Sequence, residues 1–178
     1  MRKTILCFII TWLGSIGLFA QQEFPANGLA LGFQLNEYQQ DFGIGLHLIS
    51  PAFLKDKVAV KARANLQFHQ HLDEEESTWT PYANFSLGLV AGRAMLGPFI
   101  QVYGEGGGIL LIPSDDFSSE STVFGGYGLF GFSFFLHPKA AYFIELGGVG
   151  TGARADQIAG QAIYSNGFLL SVGYRVQL

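Results

Sequence analysis

The stretch KVAVKARANLQFHQH, residues 57–71, decides the fold. Its odd positions are Lys57, Ala59, Lys61, Arg63, Asn65, Gln67, His69 and His71; its even positions are Val58, Val60, Ala62, Ala64, Leu66 and Phe68. Successive side chains on a β-strand point to opposite faces. The segment is therefore one long strand with a polar face and an uncharged apolar face. On a helix, Lys61, Arg63 and Gln67 would scatter around the circumference.

The same period of two predicts seven further strands: Gly28–Tyr38, Phe42–Ser50, Tyr82–Ala91, Phe99–Leu111, Val123–Leu136, Ala140–Gly150 and Tyr164–Leu178. In the first, Leu29, Leu31, Phe33 and Leu35 oppose Ala30, Gly32, Gln34 and Asn36. In the last, Phe168, Leu170, Val172, Tyr174, Val176 and Leu178 oppose Ser171, Gly173, Arg175 and Gln177. Eight such strands suit the span of roughly 9–11 residues that crosses a bilayer when tilted.

Composition narrows the choice. The chain has 178 residues, 49% hydrophobic and 13% charged, with 24 glycines. A glycine load this high disfavours a helical protein, since Gly costs about 1 kcal/mol per helical position relative to Ala. The apolar content excludes disorder, and the net charge of −4 argues against nucleic acid as a partner. One face of every strand carries Gly, Ala, Ser, Asn and a few charges, too small and too polar for an exterior in water. With that face inside and Leu, Val, Ile and Phe outside, the segments fit an all-β, eight-stranded antiparallel up-and-down transmembrane barrel. Closing the sheet removes edges whose unpaired backbone groups would be costly in lipid.

Residues 1–20 read as a signal peptide. Arg2 and Lys3 precede an apolar stretch from Ile5 to Leu18, and Ala20 precedes Gln21 and Gln22. Residues 21–178 then form the barrel domain. Cys7 is the only cysteine, so the exported chain relies on burial and backbone pairing rather than disulfides.

Connections are expected to alternate between short (50–56, 92–98, 137–139) and long (72–81, 112–122, 151–163), the pattern of periplasmic turns and external loops. Interfacial aromatic girdles are expected from Tyr38, Phe42, Phe68, Tyr82, Phe124 and Tyr164 at the outer end, and from Phe53, Phe134, Tyr142 and Tyr174 at the inner end.

With the Pro98–Gly108 strand, the alternating Tyr174–Val176–Leu178 terminus and the N-terminal signal, the chain resembles small outer-membrane barrels of the outer-membrane protein A and X type. The resemblance implies residence in the outer membrane of a Gram-negative bacterium. It also implies contact with outer-membrane lipid and lipopolysaccharide, insertion by the outer-membrane assembly machinery, and a monomer. That machinery reads a last strand usually ending in an aromatic residue, where this chain has Leu178.

Counting from the inner turns finds the candidate site. Arg63 lies seven residues after Asp56, Glu105 seven after Pro98, and Glu145 seven after Pro138. Three charges on different strands then point inward at one height, roughly 17 Å up and near mid-membrane. Lone charges there are costly, so Lys61, Arg63, Glu105 and Glu145 are expected to form a neutral network inside an otherwise narrow lumen.

Other motifs carry less. His69 and His71 have zinc-ligand spacing, with Asp73 as a possible third ligand, but read as solvated histidines at a barrel rim. His47 is expected across from the region of Lys61, too far down the strand to join them. The acidic groups Asp73–Glu76 and Asp115, Asp116, Glu120 read as solvated loop residues able to share divalent cations with lipopolysaccharide phosphates. No Gly-x-Ser-x-Gly elbow or phosphate loop occurs, and no catalytic residue, cofactor or metal is assigned. The expectation is a non-enzymatic barrel serving envelope integrity or loop-mediated adhesion. A narrow channel is the alternative, and a soluble periplasmic ligand-binding barrel a third reading with its faces reversed.

Overall fold

The computed structural model describes residues 27–39, 41–73 and 76–178; residues 1–20, expected to be a signal peptide, lie outside them. Eight strands follow in order: β1 (Ala30–Tyr38), β2 (Asp41–Ile49), β3 (Ala59–Asp73), β4 (Glu76–Leu96), β5 (Ile100–Ile112), β6 (Val123–His137), β7 (Ala140–Gly150) and β8 (Gly167–Gln177). Each pairs antiparallel with the next, and β1 pairs with β8 from Ala30↔Gln177 to Tyr38↔Leu169, closing the barrel.

Burial alternates residue by residue along β1 and β2. Gln34, Asn36, Lys61, Arg63, Asn65, Glu105 and Glu145 are buried within the barrel, while Leu46, Leu87 and Phe130 are 58%, 61% and 73% exposed on its outside. This is the inverse of a soluble barrel: the apolar side chains form the exterior, and polar groups pack in the middle.

Several boundaries differ from the sequence reading. Residues 72–81 are not a loop, because β3 and β4 stay paired to Asp73↔Glu76. From Phe68↔Pro81 outward this hairpin runs past the ladders of its neighbours, which begin at Phe42↔Phe68 and Ala83↔Ile112. Pro81 is thus at an edge, where a proline is tolerated. Lys57 is exposed in the β2–β3 turn rather than on the lumen face. β8 starts at Gly167, since residues 151–166 fold into a loop held by Ala155 N–H donating to Ala162 O and Tyr164 N–H donating to Ala153 O.

Near the inner end of β4 the register shifts between Ala91↔Gly104 and Ala94↔Val102, so that Gly92 and Arg93 together oppose Tyr103. Gly92 has φ +66°, a conformation glycine adopts without a Cβ penalty. The bulge re-aims the chain at the barrel rim.

Candidate functional site

The lumen is filled by side chains in layers. One layer is the charged set. β3 supplies Lys61 and Arg63, two residues apart and hence on one face; β5 supplies Glu105 and β7 supplies Glu145. Arg63 Nη1 lies 2.5 Å from Glu105 Oε1, and Nη2 donates to Glu105 Oε2 at 2.7 Å and to Glu145 Oε2 at 2.8 Å. Lys61 Nζ donates to Glu145 Oε1 and lies 3.4 Å from Glu105 Oε2. The sequence-predicted quartet therefore meets across the barrel, two cations against two carboxylates, all four buried.

Two tyrosines complete it. The Tyr103 hydroxyl donates to Glu145 Oε1 at 2.7 Å and the Tyr127 hydroxyl to Glu105 Oε1 at 2.8 Å. Lys61 lies 5.2 Å from the Phe143 ring centroid and Arg63 5.2 Å from that of Tyr127. Each carboxylate thus receives cation and hydroxyl donors, the condition under which buried charges are tolerable. Sequence reasoning missed the tyrosines, although parity along β5 and β6 puts both on the lumen face.

Above the charges is an amide layer. Gln34 Nε2 and Asn36 Nδ2 both donate to Asn65 Oδ1 at 2.9 Å, Asn65 Nδ2 donates to Asn84 Oδ1 at 2.7 Å, and Ser171 donates to Asn36 Oδ1 at 2.7 Å. His47 pairs with Arg63 across the β2–β3 ladder. Its Nδ1 is 3.0 Å from Gln34 Oε1, and its ring stands edge-on to Phe143.

The outer layer centres on Asp41. Its carboxylate lies 2.7 Å from His69 Nδ1 and accepts from the Tyr82 hydroxyl at 2.8 Å and Ser165 N–H at 2.6 Å. The β5–β6 loop folds over this group, and its fully buried Phe117 contacts His69, His71, Tyr82 and Tyr164 with ring centroids 4.9–6.4 Å away. His69 is thus buried beneath an aromatic lid, not solvated at a rim. Among the described residues its Nε2 has no hydrogen-bond partner.

The expected outer girdle needs correction for the same reason. Tyr38, Tyr82 and Tyr164 are buried inside, whereas Phe42 and Phe124 are exposed outside. At the inner end Phe53, Tyr142 and Tyr174 are exposed, and the last two pair across β7 and β8 with centroids 5.0 Å apart. The acidic loop also differs from a wholly solvated chain: Ser119 N–H and hydroxyl both donate to Asp156, joining the β5–β6 and β7–β8 loops. These donors hold the Asp156 carboxyl below its ordinary range.

The chain matches no family model and no curated protein sequence. Its fold is that of small outer-membrane barrels. It is similar to the N-terminal β-barrel domain of Pseudomonas aeruginosa OprF, with TM-score 0.59 and 11% identity over 85% of this chain and 98% of that one. It is also similar to the outer membrane protein OprG from Pseudomonas aeruginosa, with TM-score 0.55 and 12% identity over 87% and 97% of the two chains.

Proposed function

We propose that this chain is an integral outer-membrane barrel of a Gram-negative envelope, with a structural or surface-interaction role rather than a catalytic one. The observation that carries the reading is the inverted arrangement of faces. A continuous apolar exterior suits hydrocarbon, and the Lys61–Arg63–Glu105–Glu145 network occupies the middle of an eight-stranded barrel, which is just wide enough for its own side chains. The fold likeness to outer-membrane barrels supports the same location.

In this reading the lumen is plugged, and function resides in envelope integrity or in what the outer loops touch. Lipid and lipopolysaccharide are the immediate partners, the assembly machinery acts during biogenesis, and the barrel is monomeric. No cofactor is invoked. The competing reading is a narrow channel, favoured by the ionic character of the central layer.

Two measurements test the proposal. The folded chain should resist carbonate extraction and show heat-modifiable gel mobility; release by carbonate would remove the membrane reading. In planar bilayers it should give no steady conductance. A stable pore whose conductance changes in Glu105→Ala would establish the channel instead.

A further inference from the structure

The inner rim of the barrel holds a group that the central network does not use. A cavity of about 40 Å³ is lined there by Arg93, Lys139 and Arg175, together with Gln101 and Tyr103, and by no Asp or Glu side chain. Among the described residues none of these three cations forms a salt bridge. The nearby Asp56 is hydrogen-bonded by Asn27 Nδ2 at 2.5 Å and does not line the cavity. The central quartet is internally neutral, so it does not compensate them.

The cations are placed by defined features. Arg93 is half-buried at the bulge that sets two residues of β4 against Tyr103. Arg175 donates to Ser133 Oγ and lies 5.4 Å from the Tyr103 ring centroid and 5.7 Å from that of Phe143. Stacked this way, a guanidinium keeps its planar fork of donors pre-oriented. Two arginines and a lysine around one small space, without a carboxylate, match the needs of an oxyanion, whose charge-assisted bonds to Arg are strong and directional.

We propose that this rim cavity binds a compact oxyanion of the phosphate class, held between Arg93 and Arg175 with Lys139 as an outer counter-charge. The volume accommodates about three water molecules, room enough for a phosphate group. A free phosphate and the phosphodiester of a lipid headgroup present the same chemistry, and the proposal stands whether or not the lumen conducts.

The test uses the full chain folded in uncharged detergent micelles, with folding verified by heat-modifiable mobility. Titration calorimetry with inorganic phosphate should show saturable binding. Arg93→Gln and Arg175→Gln should each weaken it about tenfold, equivalent to ~1.4 kcal/mol, whereas Arg154→Gln in an outer loop should leave it unchanged. Arg93→Gln is the decisive variant, because among the described residues the Arg93 side chain makes no hydrogen bond that the substitution would remove. A second titration with glycerophosphoglycerol separates the sources: tighter binding than inorganic phosphate assigns the site to lipid headgroups, and binding of inorganic phosphate alone assigns it to a free anion. Absence of saturable binding to either by the folded chain, or wild-type affinity in Arg93→Gln, overturns the proposal.

Discussion

Lys61 and Glu145 are 84 positions apart in the chain, on strands that are not neighbours, yet their side chains are hydrogen-bonded and wholly buried. Only a closed sheet brings β3 and β7 face to face across a lumen. The pair therefore reports on closure as well as on charge.

Removing one partner should be more damaging than removing both. Glu145→Ala leaves Lys61 without its closest carboxylate and should lower stability by about 3–5 kcal/mol. Lys61→Met combined with Glu145→Leu leaves Arg63 with Glu105 and should recover most of that loss. Urea unfolding in lipid vesicles, followed by tryptophan fluorescence, measures both; equal losses in the single and double variants would contradict the interior pairing.

Phe117 should hold the β5–β6 loop down over the outer mouth. Phe117→Ala removes the ring that packs on His69, Tyr82 and Tyr164 and should ease local opening by about 3 kcal/mol. Limited proteolysis should then cut within residues 113–122 much faster, while heat-modifiable mobility stays as in the wild type.

Glycine tolerance should follow the direction in which a Cβ would point. At Gly107 an added Cβ would lie 2.2 Å from Leu87 O and 2.5 Å from Gly88 Cα, both backbone, whereas at Gly104 the nearest atom is 3.9 Å away. Gly107→Ala should cost about 1–3 kcal/mol by forcing β4 and β5 apart, and Gly104→Ala should be close to neutral. The same urea titrations compare the two.

The contact between the two outer loops should weaken in acid. Ser119 holds the Asp156 carboxyl below its unfolded value of 3.8, so the charged form is favoured in the folded loop. The tether is complete above that value and is lost as the pH falls through the depressed one. Asp156→Asn should resemble the acid state at neutral pH, with faster proteolytic cleavage near Ser119 than in the wild type.

Much of this arrangement is legible in the sequence because a closed barrel with an apolar exterior imposes one rule on every strand. Period two identified all eight strands and assigned their faces, and counting from the inner turns put Arg63, Glu105 and Glu145 at one height. What escaped depends on loops and on competing signals. Ser77, Thr78, Thr80 and Pro81 read as a polar connection, because the hairpin there runs past its neighbours' ladders and no longer carries a regular apolar face. Tyr38 and Tyr82 were drawn to the girdle by residue type, although parity with Asn36 and Asn84 places them inside. Asp41 and Phe117 could not be paired with His69 in advance, since a loop returning across the mouth brings them together and no local periodicity encodes that return.

The seam between β1 and β8 has a consequence for timing. Ala30 meets Gln177, 147 positions later, so a growing chain exposes two unsatisfied strand borders until its last segment has been made. Contacts of such separation form slowly, and the interval before the seam zips is when neighbouring copies can pair with those borders by mistake. Biogenesis must therefore hold the polypeptide apart from its own kind from the first strand to the last.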